Sequence, residues 1–302
     1  MSLLALLFAL VCERGLTQLL HLREWRWLDP YFDWADRALA GRTGALVVLA
    51  AIALLAVPVL PVLGAAHWLG PQLLGLLQFA FSVLVLLFAF GPRDLKDEVD
   101  DYAAALERHD RDEALRRGKE LLESSPSVYG LGAREAVEEA IFIQANNRIF
   151  GVIFWFMVLG AGGAWAYRVS DMLRRRSAFE AARQGLKRER RDLGSMLAFL
   201  HGVLAWVPAR LTALAYALAG SFEDGVGNWR SAVDRAAAGG LLDRAEDLLA
   251  RVGKGSLQPS LASVAPEHVD VATARGAWRI VRRALWIWVA VIALLVITGA
   301  VV

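Results

Sequence analysis

Long runs of apolar residues without a charge alternate with charged segments along the chain. Three such runs cover residues 43–66, 72–90 and 284–302, and each is close to the roughly 20 residues with which a helix crosses about 30 Å of hydrocarbon. A shorter apolar run opens the chain and ends before Glu13 and Arg14. We expect it to be retained as a partial helix packed against the others. The pattern predicts an all-α fold, a polytopic integral membrane protein.

The charged segments indicate the orientation of these runs. Residues 13–42 contain five arginines, whereas the turn "HWLGP" at 67–71 contains no Lys or Arg. Because basic loops remain on the cytoplasmic side, residues 13–42 are predicted to be cytoplasmic and the turn to lie outside. Residues 92–148 carry nine basic and fourteen acidic side chains, with Leu and Ala at helical spacing. We expect amphipathic cytoplasmic helices there.

Residues 149–167, "IFGVIFWFMVLGAGGAWAY", are long enough to span a bilayer, but a strongly basic segment follows them. Nine basic residues lie between 168 and 192, and such a loop resists translocation. We therefore expect the apolar segment to enter and leave on the same side, with Gly160, Gly162 and Gly163 at the reversal. The alternative is that this segment and the next both span, which leaves the basic loop outside.

The next apolar segment, "LAWVPARLTALAYALAG" at 204–220, has a proline and an arginine in its middle. We expect Pro208 to end one half-helix of a second re-entrant segment, and Arg210 to face a polar cavity or an anionic group. The predicted organisation is an N-terminal membrane region at 1–91 with a helical hairpin at 43–90, a cytoplasmic helical subdomain at 92–148, a re-entrant core at 149–222, a cytoplasmic helical segment at 223–283 and a C-terminal transmembrane helix at 284–302.

Composition narrows the possible functions. Apolar residues make up 57% of the chain, and 33 basic against 31 acidic side chains give a net charge of +2, so no basic field favours nucleic acid. Cys12 is the single cysteine, which excludes an intramolecular disulfide. The five histidines show no metal-ligand spacing, and no phosphate-binding loop motif is present. We expect no metal and no cofactor.

Polar side chains gather where the embedded segments begin and end. The stretch "EEAIFIQANNRIFGVIFW", residues 138–155, runs from a polar helix directly into an apolar one. A ligand site there competes with a solvated helix end whose Arg148 reaches the headgroups. Likewise, Tyr167 is either a site residue or an interfacial anchor, and Arg168 with Asp171 either a site or a surface pair. The predicted ligand-binding residues are Glu139, Gln144, Asn146, Asn147, Arg148, Tyr167, Arg168, Asp171 and Arg210.

Three segments carry a resemblance to known families. "GPRDL", "ANNRIFGVIFWFMVLGAGGAWAYRVSDML" and "LAWVPARLTALAYALAG" resemble the membrane proteins of cobalamin biosynthesis of the CobD/CbiB type. Over its full length the chain also resembles the AmpE family of inner-membrane proteins, described as regulators of β-lactamase induction. That second resemblance is carried by chain length, an early "ER" after an apolar start, a tryptophan-rich first loop and a single C-terminal span.

The CobD/CbiB resemblance implies a synthase that joins a corrinoid carboxyl group to an aminopropanol phosphate. The acidic motif of those synthases is absent here, and hard oxygen ligands or acid/base groups would be needed for that reaction. The positions of that motif hold Ile143, Gln144, Asn147, Arg148 and Val152. The synthases resemble this chain in Arg93, Asp94, Glu139, Phe154, Trp155, Tyr167, Arg168 and the segment "WVPARLTAL".

We therefore expect a non-enzymatic regulatory or sensory protein of the bacterial inner membrane, linked to β-lactamase induction and peptidoglycan recycling. Its expected partners are the lipid bilayer and a small ligand or protein partner, without nucleic acid. Gly160 to Ala164 also allow close packing between subunits, which would give a homo-oligomer. The alternatives are a membrane enzyme of the cobinamide-synthase type and a small anion transporter built on broken helices.

Overall fold

A computed structural model gives the fold of residues 4–10, 30–31, 34, 45–69, 75–90, 94–122, 133–184, 188–235 and 240–299. Within these ranges almost every residue is helical and no strand occurs. The five arginines of 13–42, Cys12, Arg93 and the turn residues Gly70 and Pro71 lie outside the described residues.

From residue 45 onward, the described ranges contain ten α-helices, numbered here in chain order, one π-helical segment and one 3₁₀ turn. They are α1 (Ala45–Leu69), α2 (Leu76–Phe90), α3 (Leu95–Glu107), α4 (Arg111–Leu122), α5 (Ala133–Ala145), a π-helical segment (Asn146–Phe150), α6 (Gly151–Gln184), α7 (Arg188–Ala219), α8 (Phe222–Arg235), α9 (Leu241–Leu261), a short 3₁₀ turn (Pro266–His268) and α10 (Val269–Ile297).

Five helical stretches are long and apolar enough to cross a membrane. They are Ala45–Leu69, Leu76–Glu107, Arg134–Ala178, Leu193–Ala219 and Pro266–Ile297. Large apolar side chains are exposed along them, including Leu49 at 62% and Leu60 at 61%, as expected for helices that face lipid rather than water. The prediction of an all-α, multi-pass membrane protein is confirmed.

The chain forms two compact units. Unit 1 comprises Met1–Pro92, Gly151–Leu204 and Val301–Val302, and unit 2 comprises Arg93–Phe150 and Ala205–Ala300. The membrane helices α1, α2 and α6 thus belong to unit 1, and the more polar helices α3, α4, α5, α8 and α9 belong to unit 2.

Helix α6 of unit 1 reverses direction at Gly160. The backbone there has φ 67° and ψ −156°, a combination that is essentially restricted to glycine. A Cβ atom at Gly163 would meet the carbonyl of Trp155, and one at Gly151 would meet the Tyr167 ring. In an uninterrupted helix the members of these pairs would be about 12 and 24 Å apart. Residues 151–159 and 161–184 are therefore antiparallel arms, and the reversal predicted at this glycine is confirmed.

The second arm of α6 also runs antiparallel to α1. Gly162 lies against the side chain of Leu63, and three residues further on the Trp165 indole Nε1 donates to the carbonyl of Pro58 at 2.9 Å. From Gly162 to Trp165 the residue number along the second arm increases, while the number of the contacted residue in α1 decreases from 63 to 58. The arm returns toward the N-terminal end of α1.

Prolines inside the membrane helices leave carbonyl groups without a helical donor, and aromatic side chains supply one. Proline has no N–H, so Pro58 in α1 cannot bond the carbonyl of Leu54 four residues earlier. The Tyr31 hydroxyl donates to that carbonyl at 2.9 Å. In α7, Pro208 likewise cannot donate to the carbonyl of Leu204, four residues earlier.

Helix α7 continues through Pro208, from Arg188 to Ala219, so the prediction that this proline ends a half-helix is wrong. The Trp155 indole Nε1 donates to the Leu204 carbonyl at 2.9 Å. Because an unsatisfied carbonyl is costly in hydrocarbon, this hydrogen bond lets the helix tolerate a proline that would otherwise break it.

Unit 2 contains the π-helical segment, which changes the hydrogen-bond spacing of the chain between α5 and α6. The Tyr216 hydroxyl donates to the Phe142 carbonyl at 2.9 Å, four residues before the π segment. The rings of Phe142 and Phe150 lie 5.0 and 5.9 Å from that of Tyr216, and Trp288 packs on Phe150 at 5.5 Å.

Replacing Gly160 by alanine tests the reversal. A Cβ atom at Gly160 would meet nothing within 4 Å, so the cost of Gly160→Ala is purely conformational, of order 1–3 kcal/mol. Gly64→Ala is the matched control, because Gly64 is also surrounded by open space but lies inside helix α1. We expect a lower melting temperature in detergent for the first variant and an unchanged or higher one for the second. Equal melting temperatures would contradict the strained reversal.

A double-mutant cycle tests the link between Trp155 and Pro208. Trp155→Phe leaves the Leu204 carbonyl unsatisfied and should lower the free energy of unfolding by about 1–3 kcal/mol. In Pro208→Ala the new backbone N–H can bond that carbonyl itself, so Trp155→Phe should cost clearly less there. The lost indole volume is the same in both backgrounds and cancels in the cycle. Equal losses would refute the link.

Candidate functional site

The largest group of buried charges in unit 1 surrounds Asp171 in the second arm of α6. The Asp171 side chain is fully buried, and three guanidinium groups pair with it. The nitrogen-to-oxygen distances are 3.2 Å from Arg168 Nη1, 2.9 Å from Arg174 Nη2 and 2.9 Å from Arg175 Nε. Spacings of three and four residues place these side chains on one helix face.

A serine and a histidine extend this group. The Ser170 hydroxyl donates to the Tyr167 carbonyl at 2.7 Å and lies 2.9 Å from His201 Nδ1. His201 Nε2 faces Asp171 Oδ1 at 3.7 Å. We call Arg168, Ser170, Asp171, Arg174, Arg175 and His201 the Asp171 cluster.

The Asp171 cluster lies within the apolar length of unit 1. Trp165 contacts Pro58 near the middle of α1, and Asp171 follows Trp165 by six residues, or about 9 Å of helix. Asp171 lies within the stretch Arg134–Ala178, one of those long and apolar enough to cross a membrane. Ionisable groups inside a membrane span face the protein interior and mark functional sites.

Burial decides between the predicted alternatives for Tyr167, Arg168 and Asp171, and the Asp171 cluster contains residues outside the predicted set. Tyr167 is fully buried and its ring lies 5.0 Å from that of His201, so the interpretation of Tyr167 as an interfacial anchor is wrong. Arg168 and Asp171 are buried, so they are not a surface pair. The sequence analysis uses Arg174 and Arg175 only as positive charges that indicate membrane orientation. It does not select His201, because the partners of His201 lie about thirty residues away in the sequence.

The predicted residues of the stretch 144–148 lie together in unit 2, in and before the π segment. Gln144 Nε2 donates to the Leu121 carbonyl at 3.2 Å, and Asn146 Nδ2 donates to Asn147 Oδ1 at 3.2 Å. Arg148 Nη1 donates to both carboxylate oxygens of Glu98 at 3.0 Å. All four predicted side chains are buried, so the interpretation as a solvated helix end is wrong.

Sequence reasoning missed Glu98, the partner of Arg148. It lies in α3 among Asp97, Asp100 and Asp101, where a carboxylate is expected to belong to a solvated face. Its side chain is nevertheless only 12% exposed, and that of Arg148 is 11% exposed. A mostly buried ion pair of this kind is strongly destabilising when one partner alone is removed.

Glu139 and Arg210 complete the predicted set, both in unit 2. Glu139 on α5 is half-buried and interacts electrostatically with Lys254 and Arg251 of α9. The Asp247 carboxylate, which bonds Arg251 Nε at 2.7 Å, raises the pKa of that guanidinium. Arg210 is half-buried and lies over the Trp206 ring at 4.0 Å, with its Nη1 donating to the Trp206 carbonyl.

Chemically, the Asp171 cluster fits an anionic ligand. Guanidinium groups bind phosphate and carboxylate oxygens in bidentate geometry, and they do so more strongly where water is excluded. Across the part of the chain that the structure describes, no group of three or more His, Cys, Asp or Glu side chains is placed to hold a metal ion.

Comparison with known proteins gives a consistent family. The sequence model of the family described as CobD/Cbib protein matches residues 6–245. The cobalamin biosynthesis protein CobD of Chromobacterium violaceum is 31% identical over 267 residues, covering 83% of this chain and 81% of that protein. The CobD protein of Stutzerimonas stutzeri is 34% identical over 151 residues, 50% of this chain and 48% of its own. No solved structure matches the chain.

These relatives overturn the expected regulatory role. The predictions of an AmpE-type, non-enzymatic regulator and of links to β-lactamase induction and peptidoglycan recycling are wrong, because the family and the relatives that match are those of cobalamin biosynthesis. The AmpE resemblance depended on chain length and on the arrangement of apolar runs, which reflect membrane topology rather than chemistry. By the extent of the family match and by its relative in Chromobacterium violaceum, the chain belongs to the CobD/Cbib family.

Proposed function

We propose that this chain is an enzyme of cobalamin biosynthesis in the bacterial inner membrane, which forms an amide between a corrinoid carboxyl group and the amine of an aminopropanol phosphate. The observation that carries the proposal is the Asp171 cluster, a set of buried arginines in a chain of this family. Each substrate carries an anionic group, a carboxylate or a phosphate, and guanidinium groups in a protein interior are suited to bind such groups.

The reaction requires activation of the carboxyl group, because a carboxylate does not condense with an amine in water. A carboxylate oxygen would attack the terminal phosphorus of a nucleoside triphosphate and release the nucleoside diphosphate. The amine nitrogen would then attack the acyl carbon, releasing inorganic phosphate and a proton and leaving the amide. Arginines that neutralise phosphate oxygens lower the barrier to such transfers. A carboxylate near the amine would accept the proton.

Acid/base groups must come from positions other than those of the synthase motif. Ile143 is an apolar buried residue, and Gln144 and Asn147 are buried amides. Glu139 lies one turn before Ile143, on the same face of α5, and is half-buried beside the cations of α9. We propose that turnover also requires Glu139, a carboxylate that the CobD/CbiB resemblance shares with the synthases.

Turnover by the purified protein tests this function. With a corrinoid monocarboxylic acid, aminopropanol phosphate, ATP and Mg²⁺, we expect the amide product by mass spectrometry. Glu139→Gln should lower kcat by about 100-fold or more if the carboxylate takes part in proton transfer. Glu135→Gln is the matched control on the same helix, because Glu135 is 45% exposed and pairs with Lys254 at 3.7 Å. It should leave kcat within about threefold.

The related CobD protein of Chromobacterium violaceum serves as a reference in the same assay. Amide formation by that protein but not by this chain, at equal folded concentration, would refute the proposed reaction. Unchanged turnover in Glu139→Gln would leave the reaction in place and remove Glu139 from it.

A further inference from the structure

Four arginines lie on one face of helix α10 in unit 2, just before the apolar part of that helix begins. Arg275, Arg279 and Arg282 follow one another at spacings of four and three residues, and Arg283 lies beside Arg282. All four residues are exposed. Such spacings place side chains on the same side of a helix. The stretch Pro266–Ile297, which is long and apolar enough to cross a membrane, therefore carries a row of positive charge near its beginning.

Two of these arginines have partners within unit 2, and two do not. Arg275 donates to both carboxylate oxygens of Glu107, at 2.6 and 3.0 Å. Arg283 Nη1 donates to the last carbonyl of α7 at 3.3 Å. Arg279 and Arg282 form no hydrogen bond or ion pair with any residue in the ranges that the structure describes.

The carboxylates closest along the chain and in space to this row are already paired. Asp270, the one acidic residue of α10, pairs with Arg134 of α5 at 3.6 Å. It also precedes Arg279 by nine residues, or about 13 Å of helix. Glu107 is held by Arg275. The charges of Arg279 and Arg282 are thus free for an anion from outside the chain.

The same face of α10 continues beyond the arginines as an apolar stripe. Trp286, Ala290 and Leu294 follow Arg282 at intervals of four residues, and all three are exposed, Trp286 at 68% and Leu294 at 61%. Tryptophan is typical of the level at which headgroups meet hydrocarbon. From Arg282 to Leu294 the helix rises about 18 Å, which is close to half the thickness of a bilayer core. A molecule that complements the whole face has an anionic head and an apolar tail.

We propose that this face of α10 binds an anionic phospholipid. The guanidinium groups of Arg279 and Arg282 bind its phosphate, and its acyl chains lie along Trp286 and the apolar stripe. A guanidinium donates two parallel N–H bonds to a phosphate group. A zwitterionic lipid brings a cation of its own, which two unpaired arginines repel, so the site prefers a lipid with net negative charge. The proposal does not depend on the reaction proposed above.

Native mass spectrometry of the full chain in a non-ionic detergent tests this site, because it counts bound lipids. We expect phosphatidylglycerol to bind at least tenfold more tightly than phosphatidylcholine. Arg279→Gln/Arg282→Gln should bind phosphatidylglycerol at least tenfold more weakly and leave the affinity for phosphatidylcholine unchanged. Arg279→Lys/Arg282→Lys, which keeps the charge and loses the planar fork, should lie between the wild type and the glutamine variant.

Arg230→Gln/Arg275→Gln is the charge-matched control. It also removes two exposed arginines of unit 2, one on α8 and one that Glu107 already holds. It should bind phosphatidylglycerol within about twofold of the wild type. A loss as large as that of Arg279→Gln/Arg282→Gln would overturn the proposal, because net charge rather than this face would then explain the affinity.

The same spectra distinguish the other possible occupants of the face. Equal affinity of the wild type and folded Arg279→Gln/Arg282→Gln for phosphatidylglycerol would refute the site, and melting temperatures in detergent show that the variant folds. Glycerol phosphate that binds as tightly as phosphatidylglycerol would overturn the assignment to a lipid, since the acyl chains would contribute nothing. A lipid-free dimer of the wild type that the variant fails to form would assign the face to a second copy of the chain instead.

Discussion

Hydrocarbon offers no hydrogen bonds, and this constraint explains the aromatic contacts of the membrane helices. At two prolines, a side chain bonds the carbonyl that has lost its amide partner. Tyr31 bonds the carbonyl freed by Pro58, and Trp155 bonds the one freed by Pro208. Tyr216 bonds the Phe142 carbonyl before the π segment. These hydrogen bonds give the named carbonyls a partner inside the protein.

Buried charge follows the same logic at a larger scale. Asp171 in unit 1 collects three arginines from its own helix, and Glu98 in unit 2 receives Arg148 from fifty residues away. Each arrangement compensates charge inside the protein rather than at a headgroup. Such networks contribute little net stability compared with apolar packing, but they are very sensitive to the loss of one member.

The sequence contains enough information for the apolar spans and for the reversal at Gly160, because span length, glycine and the basic segment act locally. It does not reveal that α7 passes through Pro208, because the compensating donor Trp155 lies 53 residues before that proline. His201 and Glu98 were missed for the same reason, since each acquires its role from a distant partner. The AmpE resemblance failed because topology is shared by membrane proteins of unrelated chemistry.

The hydrogen bond between Trp155 and the carbonyl freed by Pro208 also constrains how the chain can evolve. If the tryptophan is lost first, the lineage passes through a protein with an unsatisfied carbonyl inside the membrane. If the proline is lost first, the helix regains its amide and the tryptophan becomes free to change. The two positions are thus coupled in a fixed order of substitution, and a descendant with proline but no aromatic donor is the disfavoured intermediate.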